Sequence, residues 1–173
     1  MAARFGKLAW LWLSLFIIVA DQVTKHWFDA NFDLYQQLIV IPDLFSWTLA
    51  YNRGAAFSFL ASESGWQRWF FAAIALSVSV VLVVWLKRLK SNETWLAIAL
   101  ALVLGGAIGN LYDRVVLGHV VDFILVHWKT QWYFPAFNID DSAIKLGAIM
   151  LALDMFRGNK PASSNTTGVQ SNE

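Results

Sequence analysis

Asp122 lies inside VVDFILV, residues 120–126, a single carboxyl set among Val, Phe, Ile and Leu. An unpaired charge in such surroundings is costly, so the group has a partner or keeps its proton. A solvated Asp on a surface strand is the plainer alternative. Farther on, the run FNIDDS (137–142) brings Asn138, Asp140 and Asp141 to the start of another apolar stretch. Two carboxylates from different segments, brought together where the dielectric is low, do not both ionise readily. They share one proton, so one acts as base while the other acts as acid. That is aspartic-protease chemistry: the ionised Asp takes a proton from water, and the protonated Asp hydrogen-bonds to the scissile carbonyl. Competing chemistries lack their residues. His26, His119 and His127 have no zinc spacing, no Gly-x-Ser-x-Gly elbow occurs, and there is no cysteine to act as a thiol nucleophile. GGAIGN closes an apolar run instead of following a soluble strand, so it does not read as a phosphate loop.

The elements that must position these groups belong to a membrane. The chain is 58% hydrophobic and only 14% charged, against about 25% charged in soluble domains. A net charge of +1 provides no basic field for nucleic acid. The apolar runs predict a helical membrane protein with four transmembrane helices, near 8–28, 67–86, 94–112 and 142–157, the last interrupted by Lys145 and Asp154. Arg4 and Lys7, then Lys87, Arg88 and Lys90, then Arg157 and Lys160 fall on one side of four crossings, which the positive-inside rule makes cytoplasmic. Segments 29–65 and 113–140 then face outward, carrying a small β-rich element and a short helix. Phe45 to Asn52 alternates large apolar with small or polar residues, a period-two strand, and Val120 to Trp128 is suited to pair with it. Residues 1–157 read as one domain, and 158–173 as a disordered cytoplasmic tail.

Under that topology, five segments deliver polar side chains to the outer edge. Asp21 and Lys25 stand four apart on the first helix, acid first, as in a helical ion pair. Asn52-Arg53-Gly54 reads as a turn closing the strand. In the third helix Ala97, Ala101, Gly105 and Gly109 make a small stripe that admits a neighbouring helix. Beside it, Gly106, Asn110 and Arg114 form a second stripe ending in two polar residues. Helix packing accounts for the first stripe and not for the polar end of the second. Asp122 and the Asn138–Asp141 cluster complete the set. Ionisable groups at such depth mark functional sites by default. A proton-coupled transporter using Asp122 and Asp141 as a relay is the alternative, and a membrane scaffold is a third.

Five blocks, ADQVTK at 20–25, YNRGAAFS at 51–58, GGAIGNLYDR at 105–114, GHVVDF at 118–123 and FNIDDS at 137–142, together resemble the bacterial lipoprotein signal peptidases (signal peptidase II), intramembrane aspartic proteases. The resemblance implies a diacylglyceryl-modified prolipoprotein substrate, cut before its lipidated cysteine in the bacterial inner membrane near the outer face. It also implies no metal or organic cofactor. Asp122 and Asp141 would be the catalytic dyad. Asn52, Gly54, Gly106, Asn110, Arg114 and Asn138 would position the site and substrate, and Asp21 and Lys25 would support them. The expected partners are that substrate and the phospholipid bilayer, with the protein a monomer. Asp140 departs from the family pattern, which has a small residue there. Since neighbours at a helix start point in different directions, Asp140 is expected to face water or a helix-terminal N–H, away from the dyad, and its replacement by Ala to be tolerated.

Overall fold

The structure, a computed structural model, describes residues 6–54, 66–129 and 131–157. A 3-10 turn, Gly6–Trp10, leads into α1 (Leu11–Asn31); α2 spans Trp66–Arg88, α3 Thr94–Val116 and α4 Ile139–Arg157. Between α1 and α2 lie strands β1 (Gln37–Ile41) and β2 (Phe45–Asn52); between α3 and α4 lie β3 (Val120–Trp128) and the short β4 (Trp132–Tyr133).

Three helical stretches, Gly6–Asn31, Trp66–Arg88 and Thr94–Val116, are long and apolar enough to cross a membrane. The fourth helix is not among them, because Asp140, Asp141, Lys145 and Asp154 leave it no long uncharged window. α3 is the hub and packs against α1, α2 and α4. Its small residues allow this. Ala97, Ala99 and Ala101 are fully buried, and a Cβ on Gly105 would press on the α1 backbone at Ser14. Ser14 Oγ donates to the Ala101 carbonyl at 2.7 Å, so even the polar group on that seam is satisfied. On the other side, a Cβ at Gly106 would strike the Asp140 carbonyl, and one at Gly147 would strike Val103 and the Ala99 carbonyl. The outer surfaces of α1 and α2 present Trp12, Phe16, Val23, Trp69, Phe70 and Val81 outward, the pattern of helices solvated by lipid.

The strands form one antiparallel sheet in the order β1-β2-β3-β4. β2 occupies Phe45–Asn52 and pairs with β3, as the alternation predicts, in a register that sets Ala50 opposite Asp122 and Asn52 opposite Val120. The register shifts between Trp47 and Ala50, where the strand slips past a bulge. Phe28 from α1, Leu49 from β2 and Val121 and Phe123 from β3 bury one another, which fixes the sheet on the end of α1. The Phe28 and Phe123 rings stack at 4.5 Å. The expected short outward helix is not found among the described residues, and the tail beyond residue 157 lies outside them.

Candidate active site

Asp122 is not a solvated strand residue. It is 2% exposed, and the apolar strand around it faces protein on both sides. Asn138, just before α4, donates from Nδ2 to Asp122 Oδ1 at 2.7 Å, and Asn52 at the end of β2 also hydrogen-bonds to the Asp122 carboxyl. Asp141, in the first turn of α4, accepts from Asn110 Nδ2 at 2.8 Å, while its backbone N–H donates to Asn138 Oδ1 at 2.9 Å. Asparagine amides thus hold both carboxyls, Asn110 at Asp141 and Asn138 with Asn52 at Asp122. The two amides also approach each other, Asn138 Nδ2 lying 3.4 Å from Asn110 Oδ1. Burial, followed by the Asp141 charge beside it, pushes the Asp122 carboxyl up to about 7, against the opposing pull of Asn52, Lys25 and Asn138.

Arg114 completes this end of α3. Its guanidinium donates to the Asn110 carbonyl at 3.0 Å, lies 5.5 Å from the Phe71 ring centre, and directs its charge toward Asp141 and Asp122. Gly54 shapes the approach from β2: its N–H donates to Asn52 Oδ1 at 2.9 Å in a tight turn with φ of 105°. A side chain there would be strained and would also strike Phe71. Gly106 contributes by letting α4 come close, and its place in the site is that of a spacer. Residues 55–58 of the expected block lie outside the described residues.

The Asp21–Lys25 pair is real and buried, with Nζ to Asp21 Oδ2 at 2.5 Å. It is more than a local helix pair. The same ammonium meets Asp113 Oδ2 at 2.7 Å, Asp140 Oδ2 at 3.2 Å and Asn110 Oδ1 at 3.3 Å, all in the protein interior. Here the expectation for Asp140 is overturned. It does point away from the dyad, but it faces neither water nor a helix-terminal N–H. It is 0% exposed and aims between α1 and α3 at Lys25, in the space left by Gly109. The reason is the close contact of α3 with α4, in which Gly109 leaves free the space that the Asp140 carboxyl fills and Gly106 lies against the Asp140 carbonyl.

Asp113 was missed. It is fully buried, accepts from Gln22 Nε2 at 2.7 Å, and its backbone carbonyl receives the Leu117 and Gly118 N–H groups that end α3. A signal was present in the sequence: Asp113 continues the stripe Ala97-Ala101-Gly105-Gly109 by four, so it had to share that stripe's inward face. A small cavity of about 40 Å³ beside Gln22, Lys25, His26, Asp29 and Asp113 belongs to this cluster, and neither Asp122 nor Asp141 lines it.

Among the described residues, His127 is the one histidine with a nucleophile beside it, Ser46 Oγ at 3.0 Å from Nε2. Both residues are buried between β2 and β3, and Nδ1 faces the Lys129 carbonyl at 3.0 Å where a carboxylate would be needed. The pair is a strut across the sheet.

The arrangement so far is two carboxyls, each with an amide donor, on the end of a three-helix seam. A family model described as signal peptidase (SPase) II matches residues 13–157. The chain belongs to the signal peptidase II family. The lipoprotein signal peptidase of Pseudomonas fluorescens (strain Pf0-1) is 72% identical over 157 residues, covering 91% of this chain and 92% of that protein. The lipoprotein signal peptidase of Pseudomonas aeruginosa (strain UCBPP-PA14) is 73% identical over 157 residues, with 91% and 93% covered. Two solved structures, each described as a bacterial membrane enzyme, superpose with TM-scores of 0.76 and 0.78 at 26% and 28% identity. The first covers 95% of this chain and 94% of its own; the second covers 91% and 98%. This member of the family is a membrane protein whose helices and sheet follow a fold already seen in bacterial membrane enzymes.

Proposed function

We propose that this chain removes the signal peptide from diacylglyceryl-modified prolipoproteins, hydrolysing the peptide bond before the lipidated cysteine with Asp122 and Asp141. The observation that carries the reading is the reciprocal hold of Asn110 on Asp141 and Asn138 on Asp122, which brings together two carboxyls from β3 and α4. Asp122, raised to about 7, keeps the shared proton near neutral pH and hydrogen-bonds to the scissile carbonyl oxygen. Asp141 takes a proton from water as the water oxygen bonds to the carbonyl carbon. Collapse of the tetrahedral intermediate breaks the C–N bond. The proton taken by Asp141 passes to the departing nitrogen, and Asp122 recovers its own. Asn52 steadies Asp122, and Arg114 holds the substrate backbone beside the dyad. In a purified preparation, lipidated prolipoprotein should be cut and its unlipidated form spared. Equal cleavage of both would remove the lipid from the recognition step.

A lipid-anchored cysteine keeps its scissile bond near the headgroups, which suits carboxyls at the helix ends. The domain, residues 1–157, would cross the inner membrane four times, α4 crossing despite its charges because Asp140 and Asp141 sit in its first turn. The basic clusters would then be cytoplasmic, with the tail 158–173, and the dyad would face outward. A reporter fused after Lys160 should read as cytoplasmic and one inserted at Glu63 as external; finding both on one side would exclude four crossings.

A further inference from the structure

Lys145 interrupts the apolar run of α4 one helical turn after Asp141 and takes no part in the cleavage chemistry. Leu146, Ile149 and Leu153 are exposed along the same helix, so the lysine stands at the outer end of a lipid-facing stripe. A helical side chain leans toward the N-terminus, and a lysine stem lying in lipid carries its ammonium to the nearest polar layer. For α4 both directions are the same, outward. Nζ comes to rest 4.4 Å from the Phe137 ring centre and 5.1 Å from that of Phe134, and the two rings stand at 89° to each other. The backbone fixes that corner. Phe137 exchanges hydrogen bonds with Ile124 of β3, and the Phe134 N–H donates to the Val126 carbonyl at 2.9 Å. Trp132, exposed, packs beside Phe134 with ring centres 6.0 Å apart.

Aromatic faces attract the cation, but its three N–H bonds still need oxygen acceptors. No carboxylate pairs with Lys145 among the described residues, whose ion pairs all belong to Lys25. An ammonium with spare donors at the boundary of lipid and water meets one abundant anion, the phosphate of a phospholipid. We propose that Lys145, Phe134 and Phe137 form a binding site for the phosphate of an outer-leaflet phospholipid, tying the first turns of α4 to the headgroup layer. A diacylglyceryl group carries esters and no phosphate, so the occupant is a membrane lipid and not the lipid of the substrate. The inference rests on the reading that α4 begins at the outer face.

The test is thermal unfolding of the purified protein in an uncharged, phosphate-free detergent, titrated with phosphatidylglycerol. The lipid should raise the melting point of the wild type and reach half its effect at a definite mole fraction in the micelle. Lys145→Met should need about fivefold more lipid, the scale of one basic residue at a membrane surface. Phe134→Leu keeps the charge and should need about twofold more, because one of the two rings holding the ammonium is gone. Lys145→Arg should follow the wild type, and diacylglycerol with the same acyl chains should act alike on all four proteins. A wild-type midpoint in Lys145→Met overturns the site. So does a midpoint that moves in Lys145→Met and not in Phe134→Leu, the result for a bare surface charge. A diacylglycerol effect that Lys145→Met abolishes overturns phosphate as the ligand, and inorganic phosphate that reproduces the shift overturns the lipid. Should Lys145→Met not fold, Lys145→Gln is read in its place. In micelles the titration does not depend on how α4 is oriented. Reporters at Glu63 and after Lys160 found on one side would therefore overturn the leaflet, while the titration still decides the site.

Discussion

Asp122→Asn and Asp141→Asn are each expected to lower kcat by at least about 10³-fold, the scale of a lost general acid or base, with the protein still folded and inserted. Asn keeps the shape and hydrogen-bonding reach of Asp and loses only the titrating proton. At Asp141 it can still accept from Asn110, so the local hold survives while the proton acceptor for water is gone. At Asp122 a second readout distinguishes function from folding. The Asp122 carboxyl is raised from 3.8 to about 7 in the folded protein. The folded state therefore binds more protons than the unfolded state between those values, so stability falls as pH rises through that window. Its contribution is fully present below about pH 4 and lost above about pH 7. Asp122→Asn cannot ionise and should melt above the wild type at pH 8, by about 2 to 4 °C for each kcal/mol recovered. Cleavage near the wild-type rate by either Asn variant would remove the aspartic mechanism. A pH 8 melting point below the wild type would contradict the burial cost assigned to Asp122.

Lys25→Met should produce the largest loss of stability. Met fills much of the lysine's volume and removes the cation around which Asp21, Asp113 and Asp140 gather, all three fully buried. Breaking a buried ion pair by deleting one partner costs about 3–5 kcal/mol, because the other charge stays desolvated. Three carboxylates share this one lysine, so the upper part of that range is expected, and melting in detergent should fall by about 10 °C or more. Adding Asp140→Ala to Lys25→Met should restore part of the loss, since one uncompensated carboxyl is then gone. The two changes would not add, as contacting residues rarely do. A Lys25→Met protein that melts with the wild type would show that the cluster contributes no net pairing.

Asp113 and Asp140 show where sequence reasoning stops. Asp113 was readable, since the four-residue stripe from Ala97 through Gly109 carries the inward face of α3 onto it. Asp140 was not. Helix geometry says that Asp140 and Asp141 diverge, yet it does not say which of them meets the dyad or what lies opposite the other. Lys25 is 115 residues away along the chain, and the Gly109 space that admits the Asp140 carboxyl exists only at the contact of α3 with α4.

What the sequence determined by itself was local and periodic. Long uncharged runs define the membrane helices, because unpaired backbone groups have no place in lipid outside a helix. Alternation over 45–52 defines β2, because successive strand residues face opposite sides. The carboxyl at Asp122 stands out because apolar surroundings make an ionisable group costly, whereas Asp141 is told from Asp140 only by resemblance to the family pattern. The tertiary structure decided which faces meet. It paired Asp141 with Asn110 and Asp122 with Asn138 and Asn52, gave Lys25 three carboxylates and not one, and turned Asp140 inward. A periodic sequence specifies the faces of its helices and strands, but the partner across each face is set by how closely the elements can pack, and here that closeness comes from the glycines of α3 and α4.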